Sequence, residues 1–216
     1  MEFFRRSPAP PSRLGILPGT FNPITVAHLA LAGAAQEFCD EILFILPRQL
    51  PHKEFSGASF EQRIAMLRTA VANEPGFSIA ASDRGLFMEI AEECRQVYGH
   101  STRLTFLCGR DAAERIAGWD YGRPGAFPEM LRQFDLLVAS RGGQYHPPPE
   151  LAPFIRSLTL SSQFDEISAT EIRDRAAGGG AWEHLVPPQI REAVRKIYGG
   201  GFTAAPDWPP GRSPRC

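Results

Sequence analysis

Short apolar runs alternate along this chain with stretches of helical periodicity, and that alternation limits its fold more than any other feature. Arg13 to Leu17 reads as a buried strand ending in a Pro-Gly turn, and Val26 to Phe38 then carries apolar residues at helical spacing. Glu41 to Leu46 (E-I-L-F-I-L) is a second apolar strand, stopped by Pro47. Phe60 to Ala72 is amphipathic, with Ser59 placed to cap it and Gln62 just inside. Further strands are expected at Phe77 to Ala81, Arg103 to Leu107, Leu136 to Ala139 and Leu158 to Leu160. Helical patterns lie between them, at Met88 to Tyr98 and Ala112 to Ala117.

Strands this apolar need cover on both faces, and strands joined through helices run parallel. The rhythm therefore predicts an α/β fold: a Rossmann-like, doubly wound parallel sheet. At 216 residues, 43% hydrophobic and 22% charged, the chain suits a single such domain. The domain is expected over residues 13–198, between a Pro-rich flexible tail at 1–12 and a pattern-poor flexible tail at 199–216. Ligands of such sheets sit beyond the carboxyl ends of the strands, in the loops that lead into helices.

Bulk properties narrow the partners. A formal net charge of −1 lacks the basic footprint of a protein that tracks nucleic acid, so no nucleic-acid partner is expected. No apolar run approaches membrane-spanning length, and the charged, Pro-rich start has no apolar stretch of signal type. A cytoplasmic protein without a membrane partner is the expectation. Cys39, Cys94, Cys108 and Cys216 form neither a C-x-x-C pair nor a zinc-spaced cluster, and read as scattered reduced thiols. Nothing in the pattern specifies an oligomeric state.

The chemistry gathers after the first strand, in P-G-T-F-N-P-I-T-V-A-H from Pro18 to His28. Gly19 can take backbone angles closed to other residues and lets a phosphate approach the chain. Thr25 is expected to start the helix, and His28, three residues on, shares its side of the first turn. A helix N-terminus offers unpaired N–H groups and a partial positive charge, and a hydroxyl and an imidazole there make a seat for a polyphosphate. A lone Thr–His pair would read as a helix cap and a core histidine. Ordered Gly, Asn, Pro, Thr and His behind a strand reverse that balance. Neither G-x-x-x-x-G-K-[ST] nor G-x-G-x-x-G occurs, which disfavours P-loop and dinucleotide-cofactor readings.

This segment resembles the G-x-F-x-P-x-[HT]-x-x-H signature of the nucleotidyltransferase superfamily, which phosphopantetheine adenylyltransferases share. Further segments are similar to the nicotinate and nicotinamide mononucleotide adenylyltransferases: P-H-K at 51–53 followed by A-S-F-E-Q-R-I-A-M-L, C-G-R-D at 108–111, Trp119, and I-S-A-T-E-I-R at 167–173 before the final amphipathic stretch. The resemblance implies transfer of the AMP moiety of ATP to a pyridine mononucleotide, with pyrophosphate released, in NAD biosynthesis. It implies that His28, Thr25 and Arg173 act on the reacting phosphates. ATP contacts would come from Gly19, Thr20, Phe21, Asn22, Gly109, Asp111, Ser168 and Thr170. His52 and Lys53 would meet the acceptor's phosphate, and Trp119 its pyridine ring. Mg²⁺ would ride on substrate phosphates rather than in a protein cage. Asp111 has a second reading, as a cap on the helix it precedes.

Two departures bear on the acceptor. The family's S-Y-T-type segment is replaced by S-D-R-G-L-F-M-E-I-A from Ser82 to Ala91, which leaves nicotinate and nicotinamide both open. G-W-D-Y-G-R-P-G-A-F-P, rich in Gly and Pro, implies a remodelled acceptor loop. The competing readings are a related enzyme acting on phosphopantetheine or another phosphate, and a non-catalytic nucleotide-binding regulator. A class I aminoacyl-tRNA synthetase fragment is disfavoured by the lack of a K-M-S-K-S-like stretch.

Overall fold

The apolar runs become the inner strands of one sheet. A computed structural model describes residues 1–48, 57–118, 125–140 and 145–200. Its strands are β1 (Glu2–Arg5), β2 (Arg13–Pro18), β3 (Glu41–Pro47), β4 (Phe77–Ser82), β5 (Arg103–Gly109), β6 (Asp135–Ser140) and β7 (Ile155–Thr159). Its helices are α1 (Val26–Ala35), α2 (Phe60–Ala70), α3 (Phe87–Tyr98), α4 (Arg110–Ala117), α5 (Ala126–Met130), α6 (Ala169–Gly178) and α7 (Arg191–Tyr198). The sheet order is β1-β4-β3-β2-β5-β6-β7. All neighbours pair in parallel except β1, which runs antiparallel along β4. The expected doubly wound α/β domain is therefore present.

Period-two alternation divides the core between the two faces. Leu14, Ile16, Leu43, Ile45, Phe106 and Val138 point to the side covered by α3, α4 and α5. Leu17, Ile42, Phe44, Leu46 and Leu137 point to the side covered by α1, α2, α6 and α7. Burying one such side chain contributes roughly 1.5–3 kcal/mol, so a slip of one residue in any inner strand would exchange two well-filled cores. Cys39, Cys94 and Cys108 are free and buried, and burial pushes the first thiol up to about 11 and the others to about 12. They are packing groups, not thiolates.

One expectation is corrected. The stretch 1–12 is not wholly a tail, because Glu2–Arg5 adds an edge strand in which Glu2 pairs with Ala81 and Phe3 with Ala80. Phe3 packs on the Tyr98 ring and Phe4 on the Phe60 ring, on opposite faces, with centroids 6.1 Å apart in each pair. The two phenylalanines cover an edge of β4 that would otherwise stand open. Of the expected C-terminal tail, residues 201–216 lie outside the described residues. Among the described residues, no helix is long and apolar enough to cross a membrane.

Candidate active site

Strand order reverses between β2 and β5. The connections after them leave in opposite directions, and the parted carboxyl ends make a crevice. A cavity of about 350 Å³ lies there, lined by Pro18, Thr25, His28, Gly109 and Arg115, with Ile167 closing one side. The signature loop, the C-G-R-D turn and the start of the I-S-A-T-E-I-R motif thus meet at one place.

The signature loop is held from within. The Gly19 amide donates to the Ile45 carbonyl at 3.0 Å, continuing the β2–β3 ladder into the turn. The left-handed backbone lies two residues beyond the one expected to carry it: Phe21, not Gly19, has a positive φ, of 45°. Gly19 is needed for space instead, since a Cβ there would stand 3.0 Å from two atoms of the Phe21 ring. That ring is buried and meets the His28 imidazole edge-on, with centroids 5.3 Å apart. Arg63 of α2, also buried, donates to the Thr20 carbonyl at 2.9 Å and fixes the outer limb of the loop.

Thr25 and His28 form a reciprocal cap at the start of α1. The Thr25 hydroxyl accepts from the His28 amide at 3.3 Å, and the Thr25 amide donates to His28 Nδ1 at 3.1 Å. Since Nδ1 accepts from a backbone N–H, the ring proton belongs on Nε2. His28 can therefore present a hydrogen-bond donor to an anion without carrying positive charge.

From the other side of the crevice comes α6. Ser168 is its N-cap residue and makes no side-chain capping bond, so its hydroxyl is not spent on the helix. Thr170 and Arg173 lie on one face, with Arg173 Nη2 donating to Thr170 Oγ1 at 3.2 Å. Arg173 Nη1 donates to the Asn22 carbonyl at 2.8 Å, which carries the guanidinium across 151 residues to the signature loop. A guanidinium has five N–H donors, so this anchoring leaves others for a phosphate fork.

Gly109 caps α4, and Asp111 sits inside the first turn with its side chain 84% exposed. Asp111 is thus not the cap; its carboxylate lies 3.9 Å from Arg110 Nε. Asn22 is turned the other way, only 4% exposed, with Oδ1 accepting from Tyr198 and from the Ala58 amide. His52, Lys53 and Trp119 lie outside the described residues, as does most of the Gly- and Pro-rich loop around Trp119. Arg63, Gly57 and Tyr198 support the site without having been singled out in the sequence. A-S-F-E-Q-R contained the only hint, for Arg63.

The converging groups are amides, hydroxyls, an imidazole N–H and a guanidinium, a donor set for anions rather than a cation cage. Among the described residues, no three His, Cys, Asp or Glu side chains gather as metal ligands. A Cytidylyltransferase-like family model matches residues 16–175, the stretch that contains this crevice and both flanking motifs. The chain belongs to the cytidylyltransferase-like family. It is 30% identical over 203 residues to a protein of Gloeobacter violaceus named "Probable nicotinate-nucleotide adenylyltransferase", covering 85% of this chain and 94% of that one. A relative of the same name from Syntrophotalea carbinolica is 30% identical over 211 residues, covering 84% of this chain and 94% of its own length. The structure of Plasmodium falciparum nicotinic acid mononucleotide adenylyltransferase complexed with NaAD superposes with a TM-score of 0.67 at 17% identity, over 85% of this chain and 95% of that one. That likeness confirms the fold.

Proposed function

We propose that this member of the family transfers the adenylyl group of ATP to nicotinate mononucleotide, releasing pyrophosphate, as a step in NAD biosynthesis in the cytoplasm. The observation that carries this reading is the seating of Arg173 on the Asn22 carbonyl, beside the Thr25–His28 turn. It supports a single phosphate site built from both halves of the chain at the switch point. The names of the curated relatives support nicotinate over nicotinamide as the pyridine.

In the reaction, an oxygen of the acceptor's phosphate forms a bond to the α-phosphorus of ATP while the bond to the bridging oxygen breaks. The nucleophile is already ionised, so the protein's task is to position it and to offset developing charge. His28 Nε2–H meets the α-phosphate, the α1 N-terminus adds its amides, and Arg173 with Ser168 and Thr170 holds the departing pyrophosphate. Gly109 lets the adenosine lie close to the chain and Asp111 takes its ribose. His52 and Lys53 meet the acceptor's phosphate, and Trp119 stacks on its ring. Mg²⁺ enters with the triphosphate as part of the substrate.

The test is pyrophosphate release from Mg-ATP with nicotinate mononucleotide, nicotinamide mononucleotide or phosphopantetheine as acceptor. Release with the first, at the highest kcat/KM of the three, is expected. Release with phosphopantetheine alone would replace the acceptor. ATP binding with no release in any arm would point to a regulator.

A further inference from the structure

Outside the crevice, one buried polar knot joins the signature loop to the start of α2, to α6 and to α7. Its centre is Asn22. Oδ1 accepts the Tyr198 hydroxyl proton at 2.5 Å and the Ala58 N–H at 3.2 Å, while the main-chain carbonyl of the same residue accepts from Arg173 at 2.8 Å. The Ala58 amide can only donate, which settles the orientation of the side-chain amide. Gly57 seals the other side, because a Cβ there would come within 2.6 Å of Asn22 Nδ2. Asn22 therefore has no alternative position.

The three partners come from different parts of the chain. Ala58 precedes Ser59, the cap of α2, and is joined through Gly57 to the segment that holds His52 and Lys53. Arg173 lies on α6. Tyr198 is the last residue of α7 and 3% exposed, 176 residues from its acceptor. Burial pushes its hydroxyl up to about 12, so the donor keeps its proton at any working pH. An isolated buried hydroxyl is costly; this one gives its proton to Asn22 Oδ1, and the Ala58 N–H lies against its oxygen.

We propose that Tyr198 is a positioning residue for the adenylyl transfer: through Asn22 it holds Arg173 of α6 and the Gly57–Ala58 junction before α2 in one fixed relation. This rests on the function proposed above. The terminal helix thus reaches the chemistry although none of its side chains lines the crevice. A packing role alone would make Tyr198 matter for stability; a positioning role makes it matter for turnover, and through Arg173.

The test is a double-mutant cycle of Tyr198→Phe and Arg173→Ala, read as kcat and both KM values, with circular dichroism to check folding. Tyr198→Phe is expected to lower kcat/KM about tenfold, and to change it less than about twofold when Arg173 is already Ala. Unchanged kinetics in a folded Tyr198→Phe protein, or an undiminished effect in the Arg173→Ala background, would overturn the proposal. If the unmodified protein releases no pyrophosphate, the function has failed and the knot is read from the Kd for Mg-ATP. Weaker binding by Tyr198→Phe then supports it and equal binding overturns it. Should Tyr198→Phe not fold, Gly57→Ala displaces the same amide from its other side, both through its Cβ and through a backbone whose φ of 120° an L side chain rarely adopts. A lowered kcat/KM supports the knot, and an unchanged one overturns it.

Discussion

Replacing His28 by Ala tests whether one imidazole carries both the cap and the proposed phosphate contact. Nδ1 accepts from the Thr25 amide at 3.1 Å, and Thr25 is 1% exposed, so truncation strands a buried N–H. Such a group costs about 1–3 kcal/mol when left unpaired, and the lower half applies here because the crevice lets water reach the gap. At about 2–4 °C per kcal/mol for a domain of this size, Tm should fall by about 2–8 °C. Losing a preorganised donor to transition-state charge is larger in effect, about 10²–10³ in kcat. His28→Asn sharpens the comparison. Its side-chain oxygen falls near the position of Nδ1 and restores the cap, but it has no N–H at the reach of Nε2. The expected pattern is a lowered Tm and kcat for Ala, and a recovered Tm with a still-lowered kcat for Asn. Thermal unfolding and pyrophosphate release measure the two quantities on the same samples. If Ala keeps kcat within a factor of about three while Tm drops, or if Asn recovers both, His28 is a cap and nothing more.

Two further variants probe the supports of the site. Gly19→Ala places a methyl 3.0 Å from the buried Phe21 ring, and because that ring is wedged against His28 and Phe44 the loop must yield. Overpacking of this kind costs about 1–3 kcal/mol, and a lowered Tm with a lowered kcat/KM for ATP is expected; unchanged kinetics would show that the loop's path tolerates the methyl. Asp40 anchors the start of β2, its carboxylate accepting from the Ser12 amide at 3.1 Å, the Arg13 amide at 2.9 Å and the Arg13 side chain at 2.6 Å. The Arg13 guanidinium holds this carboxyl below its usual range. A depressed carboxyl stabilises the fold above its unfolded value near about 4 and loses that contribution as pH falls through its folded value. Asp40→Asn should therefore lower Tm at pH 7 and flatten its decline in acid; parallel Tm–pH curves for the two proteins would refute the assignment.

What the sequence by itself determined is what local patterns can encode. The apolar runs of β2 to β6 had to be buried on both faces, and the helical periods between them required parallel crossovers. The Thr25 and Ser59 caps are legible because every bond in them spans three residues. The signature around His28 and the I-S-A-T-E-I-R motif are legible as short ordered strings. Glu2–Arg5 was not, since two phenylalanines beside a Pro-rich run become a strand only when the edge of β4 is there to pair with. The positive φ fell on Phe21 rather than on Gly19 because its ring is held between Phe44 and His28, and that enclosure exists only in the folded core. The tertiary structure alone decided that Asn22 faces inward, that Arg173 sits on its carbonyl, and that Tyr198 holds its side chain. Those contacts span 151 and 176 residues, and a hydrogen bond between groups so distant leaves no period in the sequence to be read.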